Sequence, residues 1–398
     1  MYFFARLSAL IVAMALLNGC ERQDAPALDQ QLYVWQRQWT PAHEAALRDS
    51  RADFSTLRVL ALQAFPEAGW SRARIDPALL KRDGRPLIAV IRLDGQLKSL
   101  DRDEVAAQIQ QVLGDWQGQG LKLSGVEIDH DAGTARLPAY REFLTNLRAV
   151  LPASIALSIT ALPAWLDSPE LPALLSTVDS SVLQVHAVSD PRLGLFDPDL
   201  ARQWTSAWSR VTSKPFYLAL PAYGVALLPG GTGAPVVESE VPIEQGGKRR
   251  ELLADPHQLS RLGTELRNDP PAHLAGLIWF RLPLASDRRA WSLTTLSAVA
   301  RGDALDSRLA LKLSEQEGLY DITLSNQGNL DSAWPERLTL AVQGCDGADA
   351  LAGYALQQRP DLLTFTRLRD GRIPAGGQRA MGWARCAHID QGGSNVDP

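Results

Sequence analysis

The chain has 398 residues, 45% of them hydrophobic and 21% charged, with a formal net charge of −5. That is globular material with ample core, longer than one typical domain. The acidic balance argues against a nucleic-acid partner, and the one short basic cluster, Lys248-Arg249-Arg250, reads as a solvated loop face.

Arg6 precedes an apolar run from Leu7 to Leu17. A run this short is a signal-peptide core, not a membrane span. Residues 1–19 are expected to be signal and residues 20–31 a polar tether with Pro26. Leu32 to Gln36 predicts the first strand, and His43 to Ser50 a helix with Thr40 as N-cap and Pro41 at its first position. Arg58 to Phe65 and Pro86 to Leu93 predict the next two strands, followed by a helix from Asp101 to Trp116. Ser124 to Asp131 is the fourth strand and Leu137 to Val150 an amphipathic helix. Ser154 to Thr160, a short helix from Pro169 to Ser176, Val182 to Val188 and a helix from Asp199 to Val211 continue the alternation. Phe216 to Tyr223, a helix from Pro256 to Arg267, Gly276 to Arg281 and a closing helix from Arg288 to Ala300 complete it.

Eight strands, most followed by helices, imply a parallel sheet. Their number and spread over residues 32–302 predict an α/β fold, a (β/α)8 TIM barrel. An open doubly wound sheet is the competing arrangement, but no glycine-rich turn follows the first strand. Between Leu228 and Arg250 a long insertion carries the alternating run Val236 to Val241, which predicts a hairpin in a lid or a substrate wall.

Residues 303–390 change character. Ala310–Ser314, Tyr320–Ser325, Arg337–Val342 and Leu363–Arg367 alternate apolar and polar residues between turn-rich pieces, which predicts a small antiparallel β-sandwich domain. Residues 391–398 are expected to fray. Apart from Cys20, the cysteines are Cys345 and Cys386, which in an exported chain most simply pair with each other. No His or Cys pair has ligand spacing on one element, so neither a metal nor a cofactor is expected. No coiled-coil pattern speaks to oligomeric state.

The chemistry concentrates in Ser124 to Asp131. Glu127, Asp129 and Asp131 alternate with Val126, Ile128 and His130, so the three carboxylates share one face of the strand. Like charges so close destabilise a buried sheet unless they are used or neutralised. Crowded acids suit general acid/base work, because crowding raises one pKa while another group stays ionised. In a barrel the site forms at the C-terminal strand ends. By that rule Trp35 and Arg37, Arg92 and Asp94, Gln184 and His186, Tyr223, Trp279 and Arg281 are candidates to surround the acids. Rings beside carboxylates suit a sugar, which stacks its apolar face on them. Arg92 and Arg281 are equally read as partners that neutralise the acidic strand, His186 as a core histidine, and Asp94 before Gly95 as turn chemistry.

Two resemblances sharpen this. Leu17-Asn18-Gly19-Cys20 resembles a bacterial lipobox, which implies lipidation at Cys20; Glu21 after it favours the outer membrane of the cell envelope. Gly125-Val-Glu127-Ile-Asp129-His-Asp131 resembles the DGxDxDxE signature of glycoside hydrolase family 18, the chitinase-like barrels. Leu220-Pro-Ala-Tyr223-Gly224 and Gly276-Leu-Ile-Trp279 are similar to later strand ends of that family. As a whole, Leu32 to about Arg301 looks like domain of unknown function 3142, a group of bacterial lipoproteins. Ser124 and Glu127 replace the first two signature aspartates, and Asp131 replaces the proton-donating glutamate. The resemblance implies hydrolysis or binding of an N-acetylhexosamine-containing polysaccharide, without a cofactor. Asp129 would orient the substrate's acetamido group and Asp131 would protonate the leaving oxygen. Tyr223 would hold the acetamido carbonyl and Trp279 would floor the site. Non-catalytic glycan binding and an envelope-assembly role are the alternatives on the same scaffold.

Overall fold

A computed structural model of the chain describes residues 28–97, 100–185, 194–228, 236–238, 250–351 and 353–397. The signal segment, Cys20, His186 and most of the insertion after Leu228 lie outside the described residues.

In chain order the first part comprises β1 (Asp29–Val34), α1 (Ala42–Ser50), β2 (Thr56–Phe65), β3 (Gly69–Arg72), α2 (Pro77–Asp83), β4 (Leu87–Leu93) and α3 (Arg102–Gly118). Then come β5 (Leu123–His130), α4 (Leu137–Val150), β6 (Ala156–Ala161), α5 (Leu171–Leu175), β7 (Ser180–Gln184) and α6 (Pro198–Val211). The series ends with β8 (Phe216–Pro221), β9 (Gly224–Leu228), β10 (Val236–Glu238), β11 (Arg250–Leu253), α7 (Pro256–Asn268), β12 (Leu274–Phe280) and α8 (Leu293–Arg301).

Eight of these strands pair side by side in the order β1-β12-β8-β7-β6-β5-β4-β2, and β1 pairs with β2 to close the ring. Every pairing in the ring is parallel. This is the expected α/β barrel. The helix starts are written in the sequence. Asp76-Pro77, Asp197-Pro198 and Asp255-Pro256 each place a capping carboxylate before a proline at the first helical position. Each Asp side chain accepts from first-turn amides, a contribution of about 1 kcal/mol per cap. The apolar faces of the helices pack on the outer faces of the strands in one continuous core. Inside the barrel Tyr33, Val90, Val182, Ala219 and Ile278 form a separate small cluster.

Three local expectations change. The short strand β3 pairs antiparallel to β2 beyond the ring, and α2 follows it; neither was anticipated. Residues 288–292 are not helical: Ala290 bridges to Tyr223, and the helix begins only at Leu293, with Ser292 as its cap. In the insertion, β10 and β11 flank β9, so the ribbon is built on the extension of the seventh barrel strand.

The C-terminal part contains β13 (Leu309–Gln316), β14 (Leu319–Asn326), β15 (Ser332–Ala333), β16 (Arg337–Ala350), β17 (Tyr354–Arg359), β18 (Leu362–Arg367), β19 (Arg372–Ile373) and β20 (Gln378–Asp397). Six of them form an antiparallel sheet in the order β13-β14-β20-β16-β18-β17, and β15 and β19 form a two-stranded ribbon. They enclose their own core, which includes Leu338, Leu340, Leu363, Phe365 and Met381. Cys345 and Cys386 are directly paired across β16 and β20 and joined by a disulfide. The tail does not fray as expected: Asn395, Val396 and Asp397 complete the ladder against Thr339, Leu338 and Arg337. Among the described residues no helix is long and apolar enough to cross a membrane.

Candidate functional site

The C-terminal ends of the barrel strands surround a cavity of about 350 Å3. One side is polar, made by Arg92, Asp94, Asp129, Asp131, Thr160 and Gln184. The other is aromatic, made by Tyr33, Trp35, Tyr223 and Phe280. The rings pack edge to face, with centroids 5.1 Å apart for Trp35 and Phe280 and 5.3 Å for Tyr223 and Phe280.

The strand β5 delivers its acids at three depths. Glu127 is the deepest and fully buried, and it does not line the cavity. It forms a short ion pair with Arg58 and accepts from the Tyr33 hydroxyl at 2.6 Å. Arg58 is itself buried, held by Gln31 at 2.8 Å, with the Tyr217 ring against its guanidinium. Glu127, expected among the catalytic acids, is therefore a sealed structural anchor beneath the site. Burial raises its pKa, with Arg58 and the Tyr33 hydrogen bond opposing.

Asp129 sits at the cavity floor, almost wholly buried. It accepts from Thr160 at 2.7 Å, from Arg92 at 2.9 Å and from Gln184 at 3.3 Å. Burial raises its pKa above the ordinary value, against the attraction of Arg92. Asp131 is the most open of the three, its side chain 35% exposed at the mouth. It accepts from the other terminal nitrogen of Arg92 at 2.6 Å. Burial works against the Arg92 charge, but Asp129 and Asp131 outweigh it and raise its pKa. Arg92 therefore does neutralise the acidic strand, and it lines the cavity as well. Gly95 lets the loop after β4 lie against this pair: a Cβ there would stand 2.6 Å from the Asp131 carbonyl oxygen. Asp94 fills both roles read for it, accepting from the Gln96 amide at 2.8 Å and lining the cavity.

Trp279 is a correction. It was expected to floor the sugar site, yet it is fully buried outside the barrel. It packs against Trp291 and donates to Gln30 at 2.8 Å. In β12 the inward residues are Ile278 and Phe280, so Phe280 takes the place expected for Trp279. His130 also points outward, its Nδ1 2.9 Å from the Leu93 carbonyl. Trp35, Arg37, Tyr223, Gln184 and Arg281 line the cavity. Arg281 stands 3.4 Å from Asp287. His186 lies outside the described residues.

Tyr33, Thr160 and Phe280 line the site and were missed, as were Gln63 and Phe65 from β2 and Arg289 beyond β12. Arg58 was missed as the partner of Glu127. A usable signal existed for it: an arginine set in the apolar run of a strand buried on both faces requires an acid. Among the described residues no group of three or more His, Cys, Asp or Glu is arranged to hold a metal ion.

A closed parallel barrel with carboxylates and rings at its C-terminal mouth is a TIM barrel with its candidate site at the strand ends where such barrels carry theirs. The chain belongs to the family described as Domain of unknown function (DUF3142), which matches residues 83–285. Residues 309–387 match a second domain of unknown function (DUF8456). Among solved structures, a chitinase from Bacteroides thetaiotaomicron aligns with a TM-score of 0.51 at 10% identity. The alignment covers 69% of this chain and 97% of that one. The spore cortex-lytic enzyme SleL of Bacillus cereus aligns at 0.49 and 15% identity, over 70% and 74% of the two chains. A chitinase from Chromobacterium violaceum aligns at 0.48 and 12% identity, over 69% and 98%. At such identities the likeness is one of fold. No curated protein matches by sequence.

Proposed function

We propose that the cavity binds an N-acetylhexosamine-containing glycan and hydrolyses it by carboxylate acid/base chemistry. The observation that carries this reading is the arrangement at the end of β5. A buried Asp129 and a half-open Asp131 face an aromatic wall across one cavity. Its volume, about 350 Å3, falls within the roughly 300–1,000 Å3 of small-molecule sites. The sugar would stack on Trp35 and Phe280. Its acetamido oxygen would attack the anomeric carbon, steered by Asp129 and by the Tyr223 hydroxyl. Asp131 would give its proton to the leaving oxygen. The acceptor would then be water.

A second reading, glycan binding without cleavage, is favoured by one specific observation. Arg92 engages both Asp129 and Asp131, and Asp131 is one methylene shorter than the glutamate of the family 18 signature. An acid set back by roughly 1.5 Å can cost about a hundredfold in rate.

The chain is further proposed to act in the cell envelope, lipidated at Cys20 and facing the periplasm. The Cys345–Cys386 disulfide suits such an oxidising compartment.

The test compares wild type with Asp131→Asn on chitin oligomers, peptidoglycan and exopolysaccharides containing β-linked glucosamine. Mass spectrometry follows bound and cleaved sugar. Cleavage lost in the variant with binding retained is the expected result. Binding without cleavage in either protein selects the second reading, and absence of both overturns the carbohydrate assignment.

A further inference from the structure

The barrel and the C-terminal sheets meet beside the cavity. We propose that Arg372, on β19, is a positioning residue for the site: it fixes the backbone around residue 289 so that Arg289 forms part of the cavity wall. The proposal rests on the reading of the cavity as the ligand site.

One terminal nitrogen of Arg372 donates to the carbonyl of Arg288 at 3.0 Å and to that of Ala290 at 2.8 Å. Residue 289 is thus bracketed from both sides by a single guanidinium. The other terminal nitrogen pairs with Asp331 at 3.2 Å. Asp331 is nearly buried, and it also accepts from Ser292, Thr295 and Ala375. Through Asp331, Arg372 is tied both to the start of α8 at Ser292 and Thr295 and to Ala375 of its own part.

The opposite side of the same segment belongs to the barrel. The Gly224 amide donates to the Arg289 carbonyl at 2.6 Å, and the Trp291 amide to the Ala222 carbonyl at 3.0 Å. The Arg289 side chain meets Glu251 of β11 at 2.9 Å and lines the cavity beside Tyr223 and Gly224. The segment is clamped between the seventh barrel strand and the C-terminal part. None of the described lining residues comes from beyond Arg289. The C-terminal part would therefore act on the ligand through this clamp, without touching it. A lysine, with one charged nitrogen and no planar fork, cannot hold two carbonyls and Asp331 in this geometry.

The experiment uses the whole protein as Arg372→Met, Arg372→Lys, Arg289→Gln and the Arg372→Met/Arg289→Gln double variant. Amide hydrogen exchange is read at Gly224 and Trp291, with Ile91 and Ile128 as barrel references. Binding of a hexamer of N-acetylglucosamine is read alongside. In Arg372→Met the two clamp amides should exchange roughly tenfold faster while the references hold. The hexamer Kd should rise roughly tenfold, as it does in Arg289→Gln, with no further rise in the double variant. Arg372→Lys should fall between. Unchanged exchange at Gly224 and Trp291, or additive losses of affinity, would overturn the proposal. If the wild type binds no hexamer, the chitin-type ligand is excluded and the carbohydrate reading passes to the other glycans, while exchange still decides the positioning role. Should Arg372→Met fail to fold, Arg372→Gln removes the same guanidinium with a polar side chain and is read the same way.

Discussion

Arg92 donates to Asp131 across 2.6 Å at the mouth of the barrel. The same guanidinium reaches down to Asp129 at 2.9 Å, so one cation spans the floor and the rim of the cavity. The pair decides how the acidic strand survives folding and what its carboxylates are able to do.

Removing that cation should be costly. Arg92→Met leaves Asp129 buried beside a second carboxylate with no counter-charge. A loss of about 3 kcal/mol is expected at neutral pH, in the range for breaking a buried pair from one side. The loss should shrink as pH falls and the carboxylates take up protons. Urea unfolding at pH 7.5 and pH 5 checks both points; an equal loss at the two values would refute the electrostatic account.

Asp129 should also leave a mark on the pH dependence of stability. Burial, partly opposed by Arg92, raises its folded pKa above the ordinary value of 3.8. The folded protein then holds a proton where the unfolded chain has released it. The associated stabilisation is complete below 3.8 and disappears as pH rises through the raised folded value. Asp129→Asn removes this titration, so the variant should lose less stability than wild type across that window. Parallel curves of unfolding free energy against pH would count against it.

The two neighbouring rings of β12 should separate stability from binding. Trp279→Ala opens the core outside the barrel and should cost about 3–5 kcal/mol, with the glycan Kd unchanged at temperatures where the protein stays folded. Phe280→Ala removes a cavity wall and should weaken glycan binding roughly tenfold. Thermal melting and calorimetric titration of the two variants settle which ring faces the ligand.

The Cys345–Cys386 bridge closes a separation of 41 residues. In the chain-entropy model such a link contributes up to about 4 kcal/mol. The Cys345→Ala/Cys386→Ala variant should lower the melting temperature of the C-terminal part and leave the barrel transition in place. Calorimetry with and without reductant would show this. A wild-type melt insensitive to reductant would argue that the bridge adds little.

Much of the barrel was legible because its signals are local. Apolar strand runs, Asp-Pro helix starts and the β/α alternation all lie within a few residues of one another, and they placed the eight ring strands close to where they stand. The strand β3 escaped because Gly69–Arg72 is four residues long, and three of its four positions are exposed. The phase of β12 escaped for a different reason. Both faces of a barrel strand are buried, so Leu274–Phe280 is apolar throughout and shows no alternation that separates Trp279 from Phe280. The carboxylate strand escaped this ambiguity, because its charges mark one face.

The sequence by itself determined the eight ring strands and most of their helices, the parallel barrel they imply, the cysteine pair and the strand that carries the acids. Each is encoded by short-range pattern and residue chemistry. Only the tertiary structure decided that Glu127 is sealed by Arg58 and Tyr33 while Asp129 and Asp131 face the cavity, that Arg92 joins those two, and that Arg372 reaches back to the barrel. These contacts link residues from 37 to more than 80 positions apart. Partner choice at that range is fixed by which strands become neighbours when the ring closes and by how deep each side chain then lies. Neither is a property of any one segment.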